Sequence, residues 1–209
     1  MTSTAQTKGE HDLTSVPAIV QGSVKLGLLE SIFVLLFSLV SRFLEGPAET
    51  VVGAVILVLG VAAVTILPGW WTRPLTIEGI AGAAGIGLGA TVVFLLVDVM
   101  LLQNIGTYSH RWLDVGGGSN WWYHPVWWMV GTFLPWMGAW ILANQTEKNG
   151  RPSAGTAIGA ALGFAIVVAV AAVLLHFPGA GWNLATFGVA FLPGLALATA
   201  LSALGRRRA

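Results

Sequence analysis

Two carboxylates and two histidines stand out in this chain, because their surroundings leave them few ordinary roles. Asp98 lies between Val97 and Val99 in one long apolar run, and Glu30 lies in another. An ionised carboxylate among lipid chains is costly, so such a group is paired, faces a cavity, or handles a proton or cation. For Asp98 the sequence favours a structural bond, to a neighbouring helix or to Arg42 or Arg111, over a proton or cation site. Ala84, Gly87 and Thr91 share its helical face, a small-residue seam that would turn it inward. Glu30 has Lys25 close by, which suggests an interfacial ion pair rather than a transport role.

His124 and His176 fall near the outer ends of two different apolar segments, at one depth. Two inward histidines there could ligate a b-type haem, or each could hold a (bacterio)chlorophyll magnesium; these are the candidate cofactor-binding residues. The plainer alternative is a histidine bonded to loop backbone or water. A three-ligand metal centre from His110, His124 and Asp114 has no recognisable spacing, so no metal site is assigned.

The chain has no hydrolase elbow, HExxH helix or paired-carboxylate motif, and Ser109-His110 is an isolated dipeptide. The expectation leans away from an enzyme. With no cysteine, disulfides and thiolate metal sites are excluded. A net charge of +1 with no basic stripe gives no reason to expect nucleic acid as a partner.

The elements that must position these residues are apolar helices. The composition is 56% hydrophobic and 9% charged, whereas an average soluble domain has about 25% charged residues. A spanning helix needs about 20 mostly apolar residues. Six segments qualify: residues 26–44, 50–70, 76–105, 122–143, 154–177 and 184–204. Glycine and proline pairs such as Gly46-Pro47, Pro68-Gly69 and Pro178-Gly179 fall between them or at their ends. The expected fold is an all-α, polytopic transmembrane bundle of about six helices. A tail over residues 1–25 precedes the bundle at 26–204, which carries an outer loop at 106–121, and a basic end follows at 205–209. The apolar stretch from Val16 to Val20 is too short to span, and no cleaved signal is read.

Six spans put both termini on one side. That side collects Lys8, Lys25, Arg73, Lys148, Arg151, Arg206, Arg207 and Arg208, leaving Arg42 and Arg111 opposite. Basic residues accumulate on the cytoplasmic side, so the expected placement is the cell's inner (plasma) membrane with both termini in the cytoplasm.

Seven of the ten tryptophans fall between Trp112 and Trp140. On the fourth segment Trp122, Met129, Phe133, Trp136 and Trp140 recur at helical spacing as a bulky stripe, with Gly131, Pro135 and Gly138 roughly opposite. The glycine face should pack inside the bundle, and the stripe should face lipid, a partner subunit or a flat pigment. Gly82, Gly85 and Gly89 on the third segment, and Gly155, Gly159 and Gly163 on the fifth, also read as close-packing faces, internal rather than a seam between copies. The function expected from these features is a non-catalytic integral subunit of a larger membrane complex, respiratory or photosynthetic in type, with lipids and other subunits as partners. The alternatives are a small oligomeric transporter or channel using Asp98, and a haem- or chlorophyll-binding protein using His124 and His176.

Overall fold

The computed structural model describes residues 14–74, 76–108, 123–149 and 153–204, apart from the side chains of residues 123–127, 129, 146–149, 184 and 185. Six helices make up the described chain: α1 (Val16–Phe43), α2 (Gly46–Thr72), α3 (Ile77–Val97), α4 (Tyr123–Asn149), α5 (Ala154–Leu174) and α6 (Leu184–Leu204). A π-helical turn at Asp98–Leu102 prolongs α3. Among the described residues, α1, α2, α3 with its π turn, α5 and α6 are long and apolar enough to cross a membrane. The protein is a multi-pass helical membrane bundle.

Several boundaries differ from those expected: α1 and α2 begin earlier, at Val16 and Gly46, α4 runs on to Asn149, and α5 stops at Leu174. α1 begins at Val16, ten residues before Leu26, because Pro17 sits in the first turn, where its missing N–H costs nothing and its fixed φ suits a helix. The short apolar stretch therefore starts a helix instead of ending a tail. α4 has the length of a span, but Trp127, Trp128, Trp136 and Trp140, and then Asn144 to Lys148, make it the least apolar helix.

Local chemistry explains the other ends. The Thr76 side chain accepts from the Glu78 N–H at 3.2 Å and caps α3, a contact worth about 1 kcal/mol. Ser153 does the same for α5 from the Thr156 N–H at 3.3 Å. α2 stops at Arg73, which takes the left-handed conformation at φ 47° just before Pro74.

Close packing sets the helix order. A Cβ placed on Gly27 would lie 2.6 Å from the Ala90 carbonyl oxygen, and one on Gly22 would lie 2.9 Å from Ile86. Ser38 on α1 donates to the Thr107 carbonyl beyond the π turn. Rising residue numbers on α1 thus meet rising numbers beyond α3, so the two run parallel along one long seam. α4 crosses α3 in the opposite sense: Gly131 abuts Gly87 and Thr91, and Ala143 packs with Ile80 and Ala83. The buried Pro135 lies on this face too, beside Gly87. α5 lays Ala157, Ala161 and Ala165 against the core with Ile66, Leu142 and Phe191. Gly194 of α6 approaches the Ala165 backbone, where a Cβ would come within 2.6 Å of its Cα. Thr14 before α1 touches the α3 start at Gly82, and Ser202 near the α6 end bonds Asn144 at 2.8 Å. The start of α1 and the end of α6 therefore lie at one end of the bundle.

Candidate functional site

Three places combine polarity, shape or exposure in ways a packed bundle does not require. The first is the end of the α1–α3 seam. Asp98 is fully buried, at 0% exposure. Its carboxylate accepts from Gln103 Nε2 at 2.7 Å and from the Tyr108 hydroxyl. Both partners lie just downstream in its own segment, brought back by the π turn, whose backbone bond from the Gln103 N–H to the Asp98 carbonyl is 2.9 Å. Arg42, one of the expected partners, instead donates to the Gly106 carbonyl. Arg111 lies outside the described residues. The chain thus folds a short polar knot over the outgoing end of α3, with the Thr107 hydroxyl buried beside it and unpartnered. Sequence patterning signalled Asp98 but not the knot, because π geometry has no period to read.

Glu30 occupies a different environment. It lies at the centre of α1, is 7% exposed, and faces the α3 side with Ser23, Leu26, Gly27, Ser31, Val34 and Ser38. Lys25 is exposed and forms no pair with it among the described residues. The reason is angular: five residues along a helix turn by about 140°, whereas pairing needs a spacing of three or four.

The second place is a lateral groove of about 790 Å³ between α3, α4 and α6, within the range of small-ligand sites. Ala81 and Ala84 form one wall, Thr132, Phe133 and Trp136 another, and Leu192, Pro193 and Ala196 the third. Phe133 and Trp136 come from the aromatic stripe. Trp140, one turn on, is partly buried against Ile80, Ala83, Ala139 and Ala143 instead of facing outward, and its indole N–H is buried without a partner. The Asn144 side-chain oxygen, another turn along, is buried and unpartnered too. Trp122 and the Met129 side chain lie outside the described residues.

The third place is the outer face of α5. Gly155, Gly159 and Gly163 are exposed, and a Cβ on any of them would meet nothing within 4 Å. The internal-packing expectation for these glycines is overturned, because the alanine face of the same helix takes that role. Gly82 and Gly89 of α3 do pack internally, since a Cβ on Gly82 would lie 2.8 Å from Thr14 and one on Gly89 would overlap Ser23, whereas one on Gly85 would meet only Ile19, at 3.8 Å.

His176 sits just past α5 in a left-handed conformation, φ 54°, exposed alongside Leu175, Phe177 and Trp182. It does not line the groove. The side chains of His124, His110 and Asp114 lie outside the described residues, and the paired-histidine expectation lies there with them. Among the described residues no group of three potential metal-ligating side chains occurs. Comparison with known protein families, characterised proteins and solved structures finds no match to this chain. The functional reading therefore rests on the residues and their geometry.

Proposed function

We propose that this chain is a non-catalytic integral subunit of a larger membrane assembly, docked through the glycine face of α5. The observation that carries the reading is the outward ladder of Gly155, Gly159 and Gly163 with nothing against it. In lipid, apolar area gives helices no reason to associate, and association comes from close backbone approach over small residues. A three-glycine ladder makes such an approach possible, while isolated glycines in an exposed helix interior cost about 1 kcal/mol each relative to alanine. Ile166, Val167 and Leu174 prolong the same helix as exposed apolar surface. The groove lined by Trp136 supplies a second contact surface, suited to an acyl chain or a flat ring system; that is the feature a respiratory or photosynthetic assembly would use. The lysine and arginine bias supports placing the end shared by the start of α1 and the close of α6 in the cytoplasm, within the plasma membrane.

The test is native-gel sizing with mass spectrometry of the chain extracted in mild detergent from its own membranes. Wild type is expected to migrate with other proteins, and Gly159→Ile is expected to fold normally yet run alone, since its side chain points away from the chain's own core. A wild-type chain that runs alone, or only with copies of itself, overturns the proposal. Gly155→Ala should leave thermal stability within about 0.5 kcal/mol of wild type or raise it.

A further inference from the structure

Glu30 lies on α1, away from the glycine face of α5. It sits at the midpoint of a 28-residue helix that is long and apolar enough to cross the membrane. It is 93% removed from solvent, since its exposure is 7%. No hydrogen bond or ion pair reaches the carboxyl among the described residues. The charged groups on the elements packed against α1 are all elsewhere. Lys25 and Arg42 of α1 itself are exposed, Glu45 precedes α2 and is exposed, Glu49 lies in the first turn of α2 and Arg73 just past its end, Glu78 lies in the first turn of α3, and Asp98 is occupied by Gln103 and Tyr108. Val34, one turn beyond Glu30 on α1, packs with Phe94 and Leu102 in an apolar cluster against which Tyr108 of the Asp98 knot also rests.

A bare carboxylate in this position would be an uncompensated charge in a medium that solvates it poorly, at a cost of several kcal/mol. A group that is neither paired nor wet meets that cost by carrying a proton. We propose that the Glu30 carboxyl is a proton-binding site in the interior of the membrane, loaded with a proton in the resting protein. The proton adds to a carboxylate oxygen and leaves from it, and no other bond changes. The 7% exposure that the residue keeps leaves a small apolar reagent a way in from the lipid. This proposal is independent of the docking reading, because the glycine face is on α5 and Glu30 is on α1.

The experiment treats the full-length chain, in lipid nanodiscs at neutral pH, with a hydrophobic carbodiimide, a reagent that attacks protonated carboxyls in apolar surroundings. Peptide mass spectrometry is expected to place the adduct on Glu30, with wild-type labelling kept in Asp98→Asn and lost in Glu30→Gln. Gln has the shape of the protonated acid, so Glu30→Gln should retain wild-type helix content and elution. Infrared spectroscopy gives a readout on the wild-type chain alone: a protonated-carboxyl C=O band that shifts on carbon-13 glutamate labelling. An unlabelled wild type, labelling that survives in Glu30→Gln, or glutamate signals found only in the carboxylate region would each overturn the proposal.

Discussion

Gly138→Ala is expected to cost about 3 kcal/mol of stability, the upper end of the usual overpacking penalty. A Cβ on Gly138 would overlap the Thr65 carbonyl oxygen of α2 and come within 2.7 Å of its carbonyl carbon. Both are backbone atoms, so no rotamer change relieves the clash and α4 must move away from α2. The same stretch of α4 carries Leu134, Ile141 and Leu142, which pack against Ile66. Displacement there loosens the main core cluster as well. Folded proteins hold a margin of only about 5–15 kcal/mol, so one methyl group would remove a large part of it. Thermal or denaturant unfolding in mixed micelles checks this, with Gly155→Ala as the matched control on an open face. Equal stability for the two variants would show that α4 and α2 do not approach as described.

The contrast between these two glycines also shows where sequence reading stops. The face of α4 carrying Gly131, Pro135 and Gly138 was legible because bulky Phe133 and Trp136 occupy other parts of the helix; where one side is large, the small side must be the inner one. α5 offers no such contrast. Gly155, Gly159 and Gly163 recur every four residues, and so do Ala157, Ala161 and Ala165, two residues out of step and roughly opposite. Both faces are small, and only the partner decides which is buried. Gly194 of α6 meets the alanine face. The number of helices was likewise legible, because runs of about 20 apolar residues have few other uses, but not every break: Gly46-Pro47 opens α2 and Pro68-Gly69 lies inside it. The partners of Asp98 and the isolation of Glu30 were not legible. Asp98 bonds within its own segment through a π turn that leaves no periodic trace. Glu30 becomes an interior residue only once α1 starts at Val16 and lies parallel to α3.

Asp98→Ala is expected to destabilise the protein by about 3 kcal/mol, because it leaves the Gln103 amide and the Tyr108 hydroxyl without their acceptor; each orphaned donor costs roughly 1–3 kcal/mol. Gln103 is exposed and can turn to water, so most of the loss falls on Tyr108. A structural and a conducting Asp98 make different predictions in a double-mutant cycle. If the knot holds the outgoing end of α3, Tyr108→Phe should cost about 1 kcal/mol in wild type but restore stability in the Asp98→Ala background, where it removes the orphaned hydroxyl. Burying a carboxylate is itself expensive, and replacing every member of a buried polar set is often close to neutral even where removing one is not. The combined Asp98→Leu, Gln103→Leu and Tyr108→Phe variant should therefore recover most of the stability lost by Asp98→Ala alone. Recovery would identify the knot as a closure of the α1–α3 seam, with Ser38 and Arg42 still holding the loop carbonyls of Thr107 and Gly106. No recovery, together with additive single-site costs, would mean that Asp98 serves something other than its two neighbours.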